Sequence, residues 1–131
     1  MEVKQFSVVI EFVSRQKNER WTLVVVYGPC ARDNFFHWLY HLNIPVEQNW
    51  LLLGDFNFLR SLDNRNLPGG DLNDMFILNE IIGKLGLLEL PIKGRYYTWS
   101  NMQDIPLLKQ LDWFFTSVDW ISDYPMTELD I

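Results

Sequence analysis

The residues best suited to chemistry in this 131-residue sequence lie together, at the end of a short apolar run. Gly54 follows that run, and a carboxylate and a carboxamide two residues apart, Asp55 and Asn57, come next. Side chains two apart on a strand point to the same face of a sheet, so we expect these two to emerge together where the strand ends. A carboxylate there can orient a water molecule, and a carboxamide can hold a phosphate oxygen. The plainer alternative is a strand-to-loop turn, in which Asp and Asn are common.

The elements that must position this segment begin with two predicted strands and a helix. Apolar and polar residues alternate over 6–13, and a β-branched run covers 21–27, so the two should form an antiparallel hairpin. Aromatic and leucine side chains at helical spacing predict a helix over 32–43, closed by Ile44-Pro45. The continuous apolar run predicts a strand over 50–56, buried on both faces. The side chains expected to make the buried face of the first strand are Phe6, Val8, Ile10 and Phe12.

The second half of the chain predicts a loop, a helix and three strands. Residues 57–70 are loop-like, Asp71 should cap a helix that runs to about Leu85, and Gly86 fits its C-terminal cap. Strands are predicted over 87–90, 96–100 and 107–116, and a short helical turn over 118–124. The order ββαβαβββ predicts a single α/β (α+β) domain over residues 1–131, with helices packed on a mixed sheet.

Composition narrows the function classes. The chain has 11 Lys plus Arg against 17 Asp plus Glu, a net charge of −6, which argues against free-standing nucleic-acid binding. Hydrophobic residues make up 48% and aromatic residues 15%, so a covered apolar face, and hence a protein partner or a homo-oligomer, is expected. The single cysteine favours a reducing compartment, and with no signal-peptide pattern we expect an intracellular protein of the cytoplasm or nucleus. The apolar runs are too short to span a membrane.

Five short stretches follow one another along nearly the whole chain. They are Val-Val-Tyr-Gly-Pro at 25–29, Gly-Asp-Phe-Asn at 54–57, Arg60 with Asp-Asn-Arg-Asn at 63–66, Gly-Arg-Tyr-Tyr-Thr-Trp-Ser-Asn at 94–101 and Leu-Asp-Trp-Phe-Phe at 111–115. In these stretches the chain resembles the endonuclease domain of plant non-LTR (LINE-type) retrotransposons, a branch of the endonuclease/exonuclease/phosphatase family. The resemblance implies a two-sheet α/β sandwich of the kind that hydrolyses phosphodiesters with Mg²⁺.

The resemblance also implies roles for the residues at matching positions. Tyr27 is similar to the family's phosphate-contacting tyrosine, Asp55 to the carboxylate that orients the attacking water, and Asn57 to the asparagine beside it at the phosphate. Asp112 is similar to the carboxylate that orients the catalytic histidine. Trp113 departs from the family's Leu-Asp-Arg or Leu-Asp-Tyr motif.

Other parts of the family's pattern have no match in this sequence. The metal-binding glutamate and the final Ser-Asp-His motif find no counterpart between Met1 and Ile131, so we expect an incomplete sandwich, truncated at both ends and without a metal ligand set. His37 and His41 share a predicted helix face but have no third ligand nearby, so solvated or packed histidines are expected there. The catalytic and phosphate-binding positions named above are then vestigial.

Two functions follow as hypotheses. The first is a non-catalytic, retrotransposon-derived fragment that acts through protein–protein interaction and needs no cofactor; one version of it is an interfering or toxic factor controlled by a partner protein. The reason is that a positioned general acid or base contributes about 10²–10⁴ in rate, and the family's histidine is unmatched. The alternative is a Mg²⁺-dependent endonuclease or phosphodiesterase, active alone or completed in trans.

Overall fold

The computed structural model describes residues 2–3, 7–13, 19–27, 31–43 and 49–130. Within these ranges the helices are α1 (Arg32–Tyr40), α2 (Leu72–Leu85) and α3 (Val118–Asp123), with a 3₁₀ turn at Leu62–Asn64. The strands are β1 (Glu2–Val3), β2 (Ser7–Val13), β3 (Arg20–Tyr27), β4 (Asn49–Asp55), β5 (Leu88–Glu89), β6 (Ile92–Lys93), β7 (Trp99–Ser100), β8 (Leu108–Lys109), β9 (Asp112–Thr116) and β10 (Leu129–Asp130).

The central sheet has six strands in the order β1-β2-β3-β4-β9-β5. The predicted hairpin of β2 and β3 is confirmed, and its register pairs Ser7 with Val26 and Val13 with Arg20. Strands β3 and β4 are parallel because α1 carries the chain back across the sheet between them, whereas β9 runs antiparallel to β4. This mixed sheet with packed helices confirms the predicted α/β class. Two further pairs, β6 with β10 and β7 with β8, make small separate sheets.

One face of the central sheet is covered by α1 and α2. Phe35 and Leu39 of α1 and Leu78 of α2 are fully buried, and they pack in one cluster with Leu52 and Phe115 of the sheet. Burying a side chain of this size stabilises the fold by roughly 1.5–3 kcal/mol. This cluster holds β4 and β9 in place, and these strands carry two of the predicted site residues.

The second helix begins and ends where its sequence predicts. The Asp71 side chain accepts hydrogen bonds from the backbone N–H groups of Asn73 and Asp74, at 2.9 and 3.1 Å. Gly86 closes the helix in a left-handed conformation, with φ 67°. Both caps are local, so the sequence pattern alone was sufficient to place them.

The first helix is shorter than predicted and ends at Tyr40, three residues before the expected end. The backbone N–H of Leu42 donates to the carbonyl of Leu39, three residues earlier, so the last turn tightens and the α-helix stops. The predicted closing pair, Ile44-Pro45, lies outside the described residues.

The prediction of which side of β2 is buried was wrong. The alternation is present, but Ser7 (1% exposed) and Val9 face the helices, while Val8 and Ile10 are half-buried and Phe12 is 37% exposed. Phe6 lies outside the described residues. Alternation shows that a strand has two different faces, and it does not show which of them the helices cover.

The face opposite α1 and α2 carries two rows of apolar cross-strand neighbours, and we call it the open face. The register aligns Val8, Val25, Leu53 and Phe114 in one row, and Ile10, Leu23 and Leu51 in the next. All of these side chains are half-buried, so the expectation that β4 is buried on both faces was also wrong. The described helix α3 reaches only the end of this face, where Trp120 contacts Trp21 edge-on, with 5.6 Å between the ring centroids.

The remaining predictions were right in type and too long in extent. The strand expected over 107–116 is broken into β8 and β9, because the Gln110 N–H donates to the Asn64 carbonyl at 2.8 Å. The strands expected over 87–90 and 96–100 shrink to β5 and β7, and the loop over 57–70 contains the 3₁₀ turn. The helical turn over 118–124 is confirmed as α3.

None of the helices in the described ranges has the length and apolar character needed to cross a membrane.

Candidate functional site

Three of the predicted site residues form a row across neighbouring strands. Asp55 ends β4, and its register partners are Tyr27, which ends the parallel strand β3, and Asp112, which begins the antiparallel strand β9. Directly paired residues project from the same face and lie about 4.5–5.5 Å apart. The row therefore lies on the open face, next to the apolar row that contains Leu53.

Asn57 follows β4 in a turn, at the start of the segment that the sequence predicts to be loop-like. Strand β4 ends at Asp55, and Asn57 lies beyond it with φ 59°, in the left-handed region that asparagine tolerates. Its backbone N–H donates to Oδ1 of Asp55 at 2.8 Å. Both side chains are exposed and adjacent, so a ligand at the end of β4 could meet a carboxylate and a carboxamide together.

Gly54 allows β4 to approach β3 closely at the site. It has φ 134°, and a Cβ at this position would lie 2.0 Å from the carbonyl oxygen of Val26. Only glycine fits such an approach. This close contact lies directly beside the pairing of Tyr27 with Asp55.

Asp112 differs electrostatically from Asp55. It is half-buried, whereas Asp55 is exposed, and this burial raises the pKa of Asp112 above its ordinary value. The negative charge of Asp55 raises the pKa further, and a hydrogen bond with the Thr98 side chain acts in the opposite direction. The Asp112 carboxyl group therefore binds its proton more tightly than an ordinary aspartate does.

Thr98 is a site residue that the sequence interpretation did not single out. Its hydroxyl oxygen accepts the backbone N–H groups of Leu111 and Asp112 at 2.9 and 3.1 Å. It thereby fixes the start of β9 as well as interacting with the Asp112 carboxyl group. The threonine belongs to one of the five stretches noted above, but its partner lies 14 residues further on, beyond the reach of a local pattern.

The two histidines of the chain lie away from this row. His37 and His41 are on α1 and its C-terminal cap, and α1 packs on the other face of the sheet. Their rings are 4.2 Å apart, and Nδ1 of His41 is 2.8 Å from the His37 carbonyl oxygen. The structure thus pairs them with each other and not with the carboxylates.

The residues of the row do not by themselves fit a Mg²⁺ site. In the part of the chain that the structure describes, no three His, Cys, Asp or Glu side chains come together in a way that could hold a metal. Asp55 and Asp112 are two oxygen donors of the type Mg²⁺ accepts, and one Asp55 oxygen already accepts the N–H of Asn57.

A small cavity of about 190 Å³ adjoins Asn57. Arg65 and Lys109 line it, and so do the carboxylates of Asp71 and Asp74. The two cations, which the sequence interpretation did not assign to the site, are matched in formal charge by the two carboxylates. A phosphate held by Asn57 would lie next to Arg65 and Lys109.

No family model matches this sequence, and no curated protein matches it. The fold is similar to a solved structure described as the endonuclease domain of TRAS1, a telomere-specific non-LTR retrotransposon, with a TM-score of 0.68 and 16% sequence identity. The match covers 89% of this chain and 52% of the other, so the chain spans about half the length of the domain it matches. The chain therefore has an endonuclease-like α/β fold, similar to that of a non-LTR retrotransposon endonuclease domain.

Proposed function

We propose that this protein is a retrotransposon-derived, endonuclease-like protein that acts by associating, through its open face, with a protein partner, which for the isolated protein is a second copy of the chain. In this proposal Tyr27 and Asn57, the latter next to Arg65 and Lys109, recognise a phosphate group, but the site does not hydrolyse phosphodiesters by itself. The observation that carries the proposal is the position of two apolar rows, on four neighbouring strands, directly beside Tyr27, Asp55 and Asp112.

The apolar rows support association because they are continuous. Four β-strands contribute to the row of Val8, Val25, Leu53 and Phe114, and each of these side chains retains partial exposure. Contiguous apolar patches of this kind on a protein surface mark interaction sites. A protein layer of matching apolar character would remove both rows from water, and in the isolated protein a second copy of the chain is the available layer.

The absence of hydrolysis is proposed from the arrangement of the proton-transfer groups. General base catalysis needs a group whose pKa lies near the working pH, within hydrogen-bond reach of the attacking water. The described row offers two aspartates and a tyrosine, and both histidines lie on the opposite side of the sheet. The row can bind and orient, while the proton acceptor of an efficient phosphodiesterase is not part of it.

The proposal is tested by incubating the pure protein with supercoiled plasmid and Mg²⁺ beside an Asp55→Ala variant, and by measuring its mass in solution. We expect no cleavage by either protein and a mass above that of a monomer. Cleavage by the wild type that is lost in Asp55→Ala would overturn the non-catalytic part. A stable monomer at micromolar concentration would overturn the association part.

A Mg²⁺-dependent endonuclease or phosphodiesterase, active alone or completed in trans, is the second candidate. The row of Tyr27, Asp55 and Asp112 favours it, since these residues are cross-strand neighbours at the end of β4 and the Asn57 N–H donates to Asp55. In the version completed in trans, the layer that covers the open face would also bring the missing groups. Cleavage only in the presence of the partner, abolished by Asp55→Ala, would establish that version.

We place either function in the cytoplasm or nucleus, because the single cysteine suits a reducing compartment.

A further inference from the structure

Trp113 ties down the backbone on which Asn57 lies. Its ring is 1% exposed, on the face that α1 and α2 cover, and its indole N–H donates to the carbonyl of Phe58 at 2.9 Å. Phe58 follows Asn57 directly. On the other side of Asn57, the N–H of Phe56 donates to the Leu111 carbonyl at 3.0 Å. Hydrogen bonds to Leu111 and Trp113 therefore hold the backbone on both sides of Asn57.

Arg60, three residues after Asn57, is held by contacts of its own. The Arg60 guanidinium lies 5.8 Å from the centre of the Trp113 ring. Its Nε donates to Asn79 of α2 at 2.8 Å, and its Nη1 pairs with Glu89 at 2.6 Å. The chain that leaves the site is thus fixed to a helix and to a strand, and Trp113 lies under it.

Asn57 is the residue in this segment that needs such support. Its left-handed backbone, at φ 59°, is less favourable than the right-handed region even for asparagine, so contacts that hold the neighbouring backbone help to keep it there. That conformation allows the Asn57 N–H to reach Asp55 at 2.8 Å. Relaxation to an ordinary conformation would break this hydrogen bond and change the direction of the Asn57 side chain.

We propose that Trp113 is a positioning residue for the phosphate-recognition site, and that its indole N–H keeps the Asn57 backbone in the conformation whose N–H reaches Asp55. Strand alternation makes this possible, since Asp112 points to the open face and Trp113 to the helix-covered face. This inference rests on the proposed phosphate recognition.

The test compares Trp113→Phe with Trp120→Phe. Each variant keeps an aromatic ring and removes one indole N–H; that of Trp120 donates to Thr127 at 3.0 Å, away from the row. The first readout is amide hydrogen exchange at Asn57, and the second is affinity for a thymidine dinucleotide, whose single phosphodiester is the probe. We expect Trp113→Phe, and not Trp120→Phe, to speed exchange at Asn57 by about fivefold, the effect of losing one hydrogen bond. It should also weaken dinucleotide binding as much as Asn57→Ala does, and the double variant should be no weaker than Asn57→Ala alone.

The outcomes test the positioning role of Trp113 and the phosphate-recognition proposal separately. Equal exchange at Asn57 in the two tryptophan variants, or additive losses of affinity for Trp113→Phe and Asn57→Ala, would overturn the positioning role. Failure of the wild type to bind the dinucleotide would overturn the phosphate-recognition proposal, and the exchange rates would still decide the role of Trp113. If Trp113→Phe does not fold, benzothienylalanine at this position retains the bicyclic ring and lacks only the N–H, and the same exchange comparison applies.

Discussion

Asp55 and Asp112 are direct cross-strand neighbours, one exposed at the end of β4 and the other half-buried at the start of β9. Like charges opposite one another on a sheet are destabilising when both are ionised. The two carboxylates therefore repel each other, and binding of a positively charged ligand or a proton would reduce this repulsion. The charge of Asp55 already raises the pKa of Asp112.

Removing the Asp55 charge should lower the pKa of Asp112. The Asp55→Asn substitution keeps an oxygen that can accept the Asn57 N–H but deletes the negative charge that faces Asp112. Carboxyl NMR titration of Asp112 in both proteins measures the change. Asp63→Asn is the control, because Asp63 is exposed in the 3₁₀ turn and is not among the charges that raise this pKa. An unchanged Asp112 titration in Asp55→Asn would contradict the coupling.

The Asp112→Asn substitution should raise thermal stability at pH 7. The pKa of Asp112 is higher in the folded state than its ordinary value of 3.8, so the folded state binds its proton more tightly than the unfolded chain does. Asp112 therefore costs stability as pH rises through the folded-state pKa, and that cost is absent below pH 3.8. Thermal unfolding of both proteins at pH 7 and below pH 3.8 checks the sign. A gain that is the same at both pH values would show that the charge is not its cause.

The Gly54→Ala substitution should abolish or severely reduce folding. Its Cβ would meet the Val26 carbonyl oxygen at 2.0 Å, so either the β3–β4 ladder or the end of β4 must shift. Gly83→Ala is the matched control, since Gly83 lies inside α2 and a Cβ there meets nothing within 4 Å. The control should be stabilised by about 0.5–1 kcal/mol, because alanine is the better helix former. Urea unfolding measures both, and tolerance of Gly54→Ala would contradict the described approach of the strands.

The Asp71→Ala substitution should destabilise the protein by about 0.5–2 kcal/mol, the usual effect of losing an N-terminal helix cap. Two N–H groups of α2, those of Asn73 and Asp74, lose their acceptor. Asp71→Asn keeps an acceptor oxygen and should retain most of the stability. Equal losses for the two variants would assign the effect to the charge of Asp71 and not to the cap.

Sequence patterns predicted the local features of this fold well. Both caps of α2, the β2–β3 hairpin and the strand that delivers Asp55 depend on residues close together in the chain. The side of the sheet that the helices cover could not be predicted, because the alternation in β2 is the same for either choice. The apolar side chains expected in the core make part of the open face instead.

The candidate residues were named from the resemblance, and their arrangement was not predictable from the sequence. The resemblance drew attention to Tyr27, Asp55, Asn57 and Asp112, and the sheet register places three of them in one row. The left-handed backbone of Asn57 and the bond from Trp113 to the Phe58 carbonyl had no local signal. The latter joins residues 55 positions apart, and only the tertiary structure brings them together.

The most direct test of the proposed association is the solution mass of three proteins, measured by light scattering over micromolar concentrations. Wild type should exceed the 15.6 kDa of one chain, because a second copy covers the apolar rows of the open face. Leu53→Lys, in the centre of that face, should be monomeric. Phe76→Lys makes the same kind of change at an exposed position on α2 (60% exposed) and should associate as the wild type does. A wild-type protein that stays a stable monomer throughout, or a Phe76→Lys variant that dissociates as readily as Leu53→Lys, would contradict association through the open face.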